Sequence, residues 1–521
     1  MFLLLVFVLV LITIQLVRKR YVYWAERNVV QDMAYPLFGI NWKSVFGGCS
    51  IAEIFQELYN KYSEKRYMGV YDYTTPILVI LNPHLLKKIS IKDFEYFMNH
   101  RPKLPKNVDR MWNRNLFNLV GTEWREMRKT LSPAHTGSRM KGMFVLMEEC
   151  AKNFVQHFLQ QDQDIVELDA RETLARYTND VIATSAYGYQ CDSLKDENNE
   201  FYIRGLQTTD MSGLWKFIKF DMLRAFPWLG KIIKVELFDG DVTNFFGKII
   251  EENVLYRIEN KIERPDLIDL LMHADKSTSN GETVVSSMKE NKEQNNGHQK
   301  KNLRFNIEDI TAQALIFFFS GFGTVSSVLS FLTYELAVNP DIQKRLYEEV
   351  SQFRSKNDKL TYEGLGSLTY LDMVLSETLR KWPSFIRTDR VCSRSYTIEP
   401  ETPDETAVHI NKGDIIWIPI FAIHHDEKYW PNPEKFDPDR FSAENKMKIV
   451  PGTYIPFGIG PRTCIATRFV IQEIKILLYE IISTFEIVVT EKTLIPCQPY
   501  KKSSALLPGE GFWFGLQRRN S

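Results

Sequence analysis

Cys464 stands in the stretch Phe457-Gly458-Ile459-Gly460-Pro461-Arg462-Thr463-Cys464-Ile465-Ala466, directly ahead of an apolar, helix-patterned run from Ala466 to Ile482. A thiolate at that junction would face backbone N–H groups and the positive end of the following helix, and both favour its charged form. Gly458 and Gly460 let the backbone pass close to a flat partner without a Cβ in the way. A thiolate in that setting suits iron. For a lone cysteine the bland alternative is a buried structural thiol in an ordinary turn.

Other residues with chemical potential lie elsewhere in the chain. The run from Phe317 to Ser327 reads as helix yet holds Gly321 and Gly323. Each mid-helix glycine costs about 1 kcal/mol against Ala, so the pair asks for a reason. One reason is a groove beside the helix with the Thr324 hydroxyl in reach; close helix packing is the other. Glu377 and Arg380, three apart on a helix ended by Pro383, share a face and can pair. Trp124 and Arg128, four apart, also share a face, and their indole and guanidinium offer donors only. Such a pair suits an anionic carboxylate or an exposed amphipathic surface. His424 and His425 precede Asp426, but no further ligand lies at a metal spacing, so structural histidines are expected.

Long helical patterns must position these groups: Glu123 to Leu131, Gly142 to Phe158, Ala170 to Tyr187, Asp241 to Glu263, and a run from Asn306 as N-cap to Val338. Alternation over Arg66 to Leu81 reads as a strand pair, with further strands at Ala407–Ile410 and Asp414–Pro419 and a hairpin between Phe485 and Gln517. The chain is mostly helical with a minor sheet. Residues 213–234 form an aromatic-rich segment, read either as core or as a second membrane contact. Residues 276–302 are polar and charged and read as a mobile loop.

The first segment, Phe2 to Val17, is almost wholly apolar and is followed by Arg18, Lys19 and Arg20, then Tyr21, Tyr23 and Trp24. A cleavable signal peptide carries its charge ahead of the apolar run. The reverse order predicts an uncleaved anchor over residues 1–20, with residues 25–521 on the cytosolic side. The 521 residues would allow two or three domains, and 44% hydrophobic content is that of a globular chain. Lys plus Arg and Asp plus Glu are equal at 65 each, so no global charge points to nucleic acid. Six cysteines without framework spacing fit reduced thiols.

The loop around Cys464 resembles the haem-binding signature of the cytochrome P-450 superfamily, Phe-x-x-Gly-x-Arg-x-Cys-x-Gly, with Ala466 in place of the last Gly. Ser320-Gly321-Phe322-Gly323-Thr324 resembles the family's Ala/Gly-Gly-x-Asp/Glu-Thr, with Gly323 where an acid stands and Ser320 at the first position. Glu377 and Arg380 resemble its Glu-x-x-Arg, and Pro438-Asp439-Arg440-Phe441 the segment whose Arg completes that triad. The insect microsomal, xenobiotic-metabolising group is the one most resembled.

The resemblance implies a single mostly-α haem domain with small β-sheets, preceded by an N-terminal transmembrane helix. It implies haem b with Cys464 as axial thiolate, and Phe457 and Gly321 beside the cofactor. Trp124, Arg128, Arg390 and Arg462 would bind the haem propionates, and Glu377, Arg380 and Arg440 would form a structural triad. Thr324 would hydrogen-bond dioxygen; water would substitute for the side chain that Gly323 lacks. Substrate-facing segments would be 106–119, 213–222, Phe317 to Phe322, Ser384 to Thr388 and Ser504 to Leu507, with Phe318, Phe322, Phe385 and Thr388 in the pocket.

The implied reaction inserts one oxygen atom into a lipophilic substrate, with electrons from NADPH through cytochrome P-450 reductase and a further partner in cytochrome b5. Arg125, Lys129, Lys446 and Lys448 are candidates for the reductase-docking face, or plain solvated surface. The implied location is the endoplasmic reticulum membrane, catalytic domain cytosolic. Two other readings stay open because of Gly323: a haem-thiolate isomerase or dehydratase, and a non-catalytic binder of lipophiles.

Overall fold

The protein is described from a computed structural model covering residues 21–32, 35–102, 110–209, 240–264, 266–273, 307–403, 405–501, 503 and 505–519, with Gln15 and Met222. The expected anchor, the aromatic segment 213–234, the polar stretch 276–302, the Asn306 cap and Ser504 lie outside these residues, Gln15 and Met222 aside.

The central helix, Ile307–Val338, runs through the middle of the molecule. It packs against Ala170–Ala186 and Gly240–Asn260, and touches Pro340–Lys356, Thr369–Lys381 and Thr467–Thr484. Its length and apolar composition would suffice to cross a membrane, but most of it is buried inside the protein. A helix apolar all round is a core helix when protein surrounds it.

Three sheets accompany this helical body among the described residues; the smallest pairs Tyr396–Ile398 with Val408–Ile410, and the other two bear on the site. The larger has the strand order Tyr67–Asp72, Thr75–Ile80, Ile415–Ile418, Thr388–Val391. Its first pair is the hairpin expected from alternation, with Tyr67 opposite Ile80. Thr75–Ile80 then runs parallel to Ile415–Ile418, which pairs antiparallel with Thr388–Val391 so that Arg390 faces Ile416. A strand pairing thus delivers Arg390 to the interior. The second sheet has the order Ile165–Asp169, Trp513–Arg518, Phe485–Val488. The sequence pattern missed Ile165–Asp169. It buries only Val166 and Leu168, and its partner lies near the C-terminus, with Ile165 opposite Gln517.

Local chemistry accounts for several boundaries. Asp169 accepts the N–H groups of Arg171 and Glu172 at the start of Ala170–Ala186. Ser50 and Glu53 form a reciprocal capping box on Ile51–Lys61. Ala466 is the N-cap of Thr467–Thr484 with φ −90° and ψ 13°. No left-handed backbone is required there, so Ala serves where the family signature has Gly.

Candidate active site

A cavity of about 890 Å³ lies between the central helix, the Cys464 loop and the larger sheet. That volume is near the top of the roughly 300–1,000 Å³ range of ligand pockets. Cys464 opens onto this cavity rather than onto the outer surface.

The cysteine loop is held by its own backbone. Cys464 N–H donates to the Phe457 carbonyl at 2.9 Å, Thr463 N–H to Gly460 at 2.9 Å, and Gly458 N–H to Ile455 at 3.0 Å. Gly458 and Gly460 have φ of 79° and 77°, where L side chains are strained. A Cβ on Gly460 would also collide with the carbonyl of Ser90. Burial raises the Cys464 thiol above its ordinary value, against lowering contributions from Ala466, Thr467 and Arg128. Burial thus opposes the thiolate that the loop backbone, Thr467 and Arg128 favour.

Behind the loop sits the Glu377–Arg380 pair, both side chains fully buried. Arg380 Nε and Nη2 donate to the two carboxylate oxygens at 2.7 and 2.9 Å, a bidentate geometry. Its remaining donors reach the carbonyls of His424 at 2.9 Å and Pro433 at 2.7 Å. Arg440 Nε lies 3.4 Å from Glu377, and Arg440 Nη2 donates to Asn432 at 2.8 Å. Glu377 also accepts the N–H of Asp437 at 3.0 Å. His424, buried and neutral, faces the Arg380 carbonyl through Nδ1 and accepts the Ile455 N–H through Nε2.

Arginines crowd one side of the cavity. Arg128, Arg390 and Arg462 line it together with Trp124. Arg128 donates to the Thr463 carbonyl at 2.8 Å. Arg390 donates to the Asp389 and Ile459 carbonyls at 2.7 and 3.1 Å, while its buried Nε has no partner. Arg462 lies 4.1 Å above the Trp124 ring. It spends three N–H groups on the carbonyls of Met98, Leu116 and Leu119. Arg462 thereby ties the cysteine loop to the segments around Met98 and residues 116–119, alongside its expected role as an anion ligand.

Burial, and the neighbouring Arg390 and Arg128 charges, pull the Arg462 guanidinium down to about 9. Burial takes Arg390 to about 10, against the Asp389 charge. Guanidiniums resist losing their protons, so this crowding is electrostatic frustration that a carboxylate would relieve. Together with the unpartnered Arg390 Nε, it makes this side of the cavity fit the propionates of a haem.

Sequence spacing did not reveal His100, Arg101 or Asp389, which line the same side. Arg101 Nη1 donates to the buried Asp72 carboxylate at 2.6 Å, and its backbone N–H to Asp389 at 2.5 Å. His100 Nδ1 is 3.5 Å from Asp389, and its ring stacks on Phe117 with centroids 4.7 Å apart. Asp389 is held near 2 by His100, the Arg101 N–H and Arg390, against burial. These contacts join residues nearly 290 positions apart, with no local pattern to betray them.

The central helix supplies the opposite wall through Ile316, Phe317, Phe319, Ser320, Gly321, Thr324 and Val328. This corrects the expected pocket residues Phe318 and Phe322. Both turn away from the cavity, stacked 5.3 Å apart, and Phe318 packs on Phe201, Phe246 and Tyr187. Spacing of four puts them on one core-facing stripe, leaving Phe317 and Phe319 on the cavity side. Phe385 and Thr388 line the cavity at its sheet side, as does Phe457 beside the cysteine.

The two glycines have different reasons. Gly321 lines the cavity, and a Cβ there would sit 2.7 Å from Ile182 Cδ1, so close helix packing and the groove both apply. A Cβ on Gly323 would meet nothing within 4 Å. Thr324 Oγ1 donates to the Ser320 carbonyl one turn back.

Comparison with known proteins agrees with this geometry. A family model described as "Cytochrome P-450" matches residues 33–513. Cytochrome P-450 9e2 of Blattella germanica is 41% identical over 519 residues, covering 96% of this chain and 94% of the relative. Probable cytochrome P-450 9f2 of Drosophila melanogaster is 39% identical, covering 96% and 95%. Cytochrome P-450 6k1 of Blattella germanica is 34% identical, covering 94% and 92%. A thiol loop, an arginine-rich side and an apolar wall thus meet in one cavity, and the chain belongs to the cytochrome P-450 family of haem-thiolate monooxygenases.

Proposed function

We propose that this chain inserts one atom of dioxygen into lipophilic small molecules, foreign or endogenous, using NADPH electrons delivered by cytochrome P-450 reductase, with cytochrome b5 as a second donor. The observation that carries this reading is the single cavity shared by Cys464, the arginine cluster, Thr324 and an apolar wall. When bound, haem supplies dioxygen activation, helped by electron density pushed from the thiolate.

The chain's own residues do the rest. Cys464 would ligate the haem iron through its thiolate, and Phe457 and Gly321, which line the same cavity, would lie against the cofactor. Trp124, Arg128, Arg390 and Arg462 hold the propionate side with charge and donors. Glu377, Arg380 and Arg440 fix the loop through His424. Phe317 and Phe319 keep the oxygen side dry, while Phe385 and Thr388 meet the substrate. The Thr324 hydroxyl serves proton delivery.

Residues 1–20 anchor the protein in the endoplasmic reticulum membrane, and the domain of residues 25–521 works on its cytosolic face. Arg125, paired with Glu95 at 2.8 Å on the surface, and Lys448 belong to the face offered to the reductase.

The test is reconstitution of wild type and Gly323→Asp with reductase and NADPH over a panel of lipophilic probes. Product and peroxide are measured for each. Reductase-dependent product from the wild type supports the reading. Conversion that ignores NADPH supports an isomerase or dehydratase. Tight probe binding without conversion supports a binder.

A further inference from the structure

We propose that the Ser320 hydroxyl is a positioning residue that holds a water beside Thr324, taking the part that a side chain at Gly323 would otherwise play; this rests on the monooxygenase reading. The central helix carries seven Ser and Thr residues, and six spend their hydroxyl proton on the carbonyl four residues back. Thr311 donates to Ile307, Thr324 to Ser320, Ser326 to Phe322, Ser327 to Gly323, Ser330 to Ser326 and Thr333 to Leu329. Such back-bonding is the default for these side chains within a helix.

Ser320 is the exception. Its side chain is exposed to the cavity, and its hydroxyl makes no hydrogen bond among the described residues. Its carbonyl, one turn before Thr324, holds the Thr324 proton. Thr324 is therefore an acceptor towards the cavity while that bond lasts. Gly323 brings no proton, and the Ser326 and Ser327 hydroxyls are buried and committed to helix carbonyls. On this wall the proton free to point into the cavity is that of Ser320.

A hydroxyl can donate to one neighbour and accept from another, so Ser320 can orient a water that in turn donates to Thr324. Next to Thr324, the position of Gly323 has open space where a side chain would stand, which leaves room for a water there. No group is oxidised or reduced in this role. The water takes a proton from bulk solvent as it passes one to Thr324, and Thr324 releases its own proton from the Ser320 carbonyl into the cavity, so the water, Ser320 and Thr324 each keep their proton count.

Ser320→Ala and Ser320→Thr separate this role from a merely structural one, because Thr keeps the hydroxyl. The first readout is the absorption spectrum of the ferric haem protein without substrate, whose spin equilibrium reports water held at the iron side. The proposal expects Ser320→Ala to shift the high-spin to low-spin ratio about threefold or more, as one lost hydrogen bond would, and Ser320→Thr to match wild type. The second readout is peroxide released per product with reductase and NADPH. It should rise comparably in Ser320→Ala and fall again in the Ser320→Ala, Gly323→Asp double variant.

An unchanged spectrum and unchanged peroxide ratio in Ser320→Ala would overturn the proposal. The spectrum needs no reductase, NADPH or turnover. A wild type that converts no probe therefore counts against the monooxygenase reading alone, and the spectrum still decides for or against Ser320.

Discussion

The backbone N–H of Ile455 donates to His424 Nε2 across 2.9 Å, and the same ring's Nδ1 faces the Arg380 carbonyl at 3.0 Å. One neutral imidazole thus connects the buried Glu377–Arg380 pair to the segment that opens the cysteine loop. The tautomer follows from the network: Nδ1 carries the proton, and Nε2 accepts. The ion pair acts on the thiol through backbone position, not through charge.

Arg380→Gln should lower stability by about 3–5 kcal/mol, because it strands the buried Glu377 carboxylate. Denaturant unfolding measures the loss. Haem content per chain should fall with it, since the loop loses its support. Equal stability and haem content in the variant would show that the pair does not hold the loop.

The buried histidines give a pH dependence of definite sign. Burial, with the Arg380 and Lys381 charges, pushes His425 down to about 3, and burial pushes His424 well below its ordinary value. Both stay neutral in the fold, whereas the unfolded chain takes up their protons below about 6.5. Their contribution is complete above that pH and is lost on acidification towards 3, at up to about 1.4 kcal/mol per pH unit for each histidine. His100 is lowered by burial in the same direction, against Asp389. Denaturant midpoints across pH 4–7 check this. His425→Asn should flatten the slope, and an unaltered slope would contradict the assignment.

Two neighbouring phenylalanines should behave oppositely. Phe318→Ala removes a fully buried ring from an aromatic cluster and should cost about 3–5 kcal/mol in unfolding experiments. Phe317→Ala opens the cavity wall and should change which lipophilic probes bind, at a smaller loss of stability. Binding spectra of the two variants over one probe panel distinguish them.

Gly460→Ala should reduce haem retention. The residue has φ of 77°, and its Cβ would strike the Ser90 carbonyl, so the loop must move. Ala466→Gly, at a position of ordinary helical-cap backbone, should leave haem retention as it is. Haem content after gel filtration reads both.

Much of the site was legible because its groups lie close in sequence. The Cys464 loop, the Glu377–Arg380 spacing and the Trp124–Arg128 spacing are local patterns that helix geometry turns into shared faces. Pairings across long separations were not legible. Ile165–Asp169 finds its partner strand near the C-terminus, and Asp389 meets His100 and Arg101 only through the fold. Phe318 was misassigned because the six positions from Phe317 to Phe322 were read as one wall. Helical rotation divides them, sending Phe317 and Phe319 to the cavity and Phe318 to the core.

The most direct test of the central claim is the fate of labelled dioxygen in a reconstituted reaction with reductase and NADPH. Wild type should give a product carrying one labelled oxygen atom, and Cys464→Ser no labelled product. A rearranged or dehydrated product without label, or labelled product that survives in Cys464→Ser, would contradict that claim.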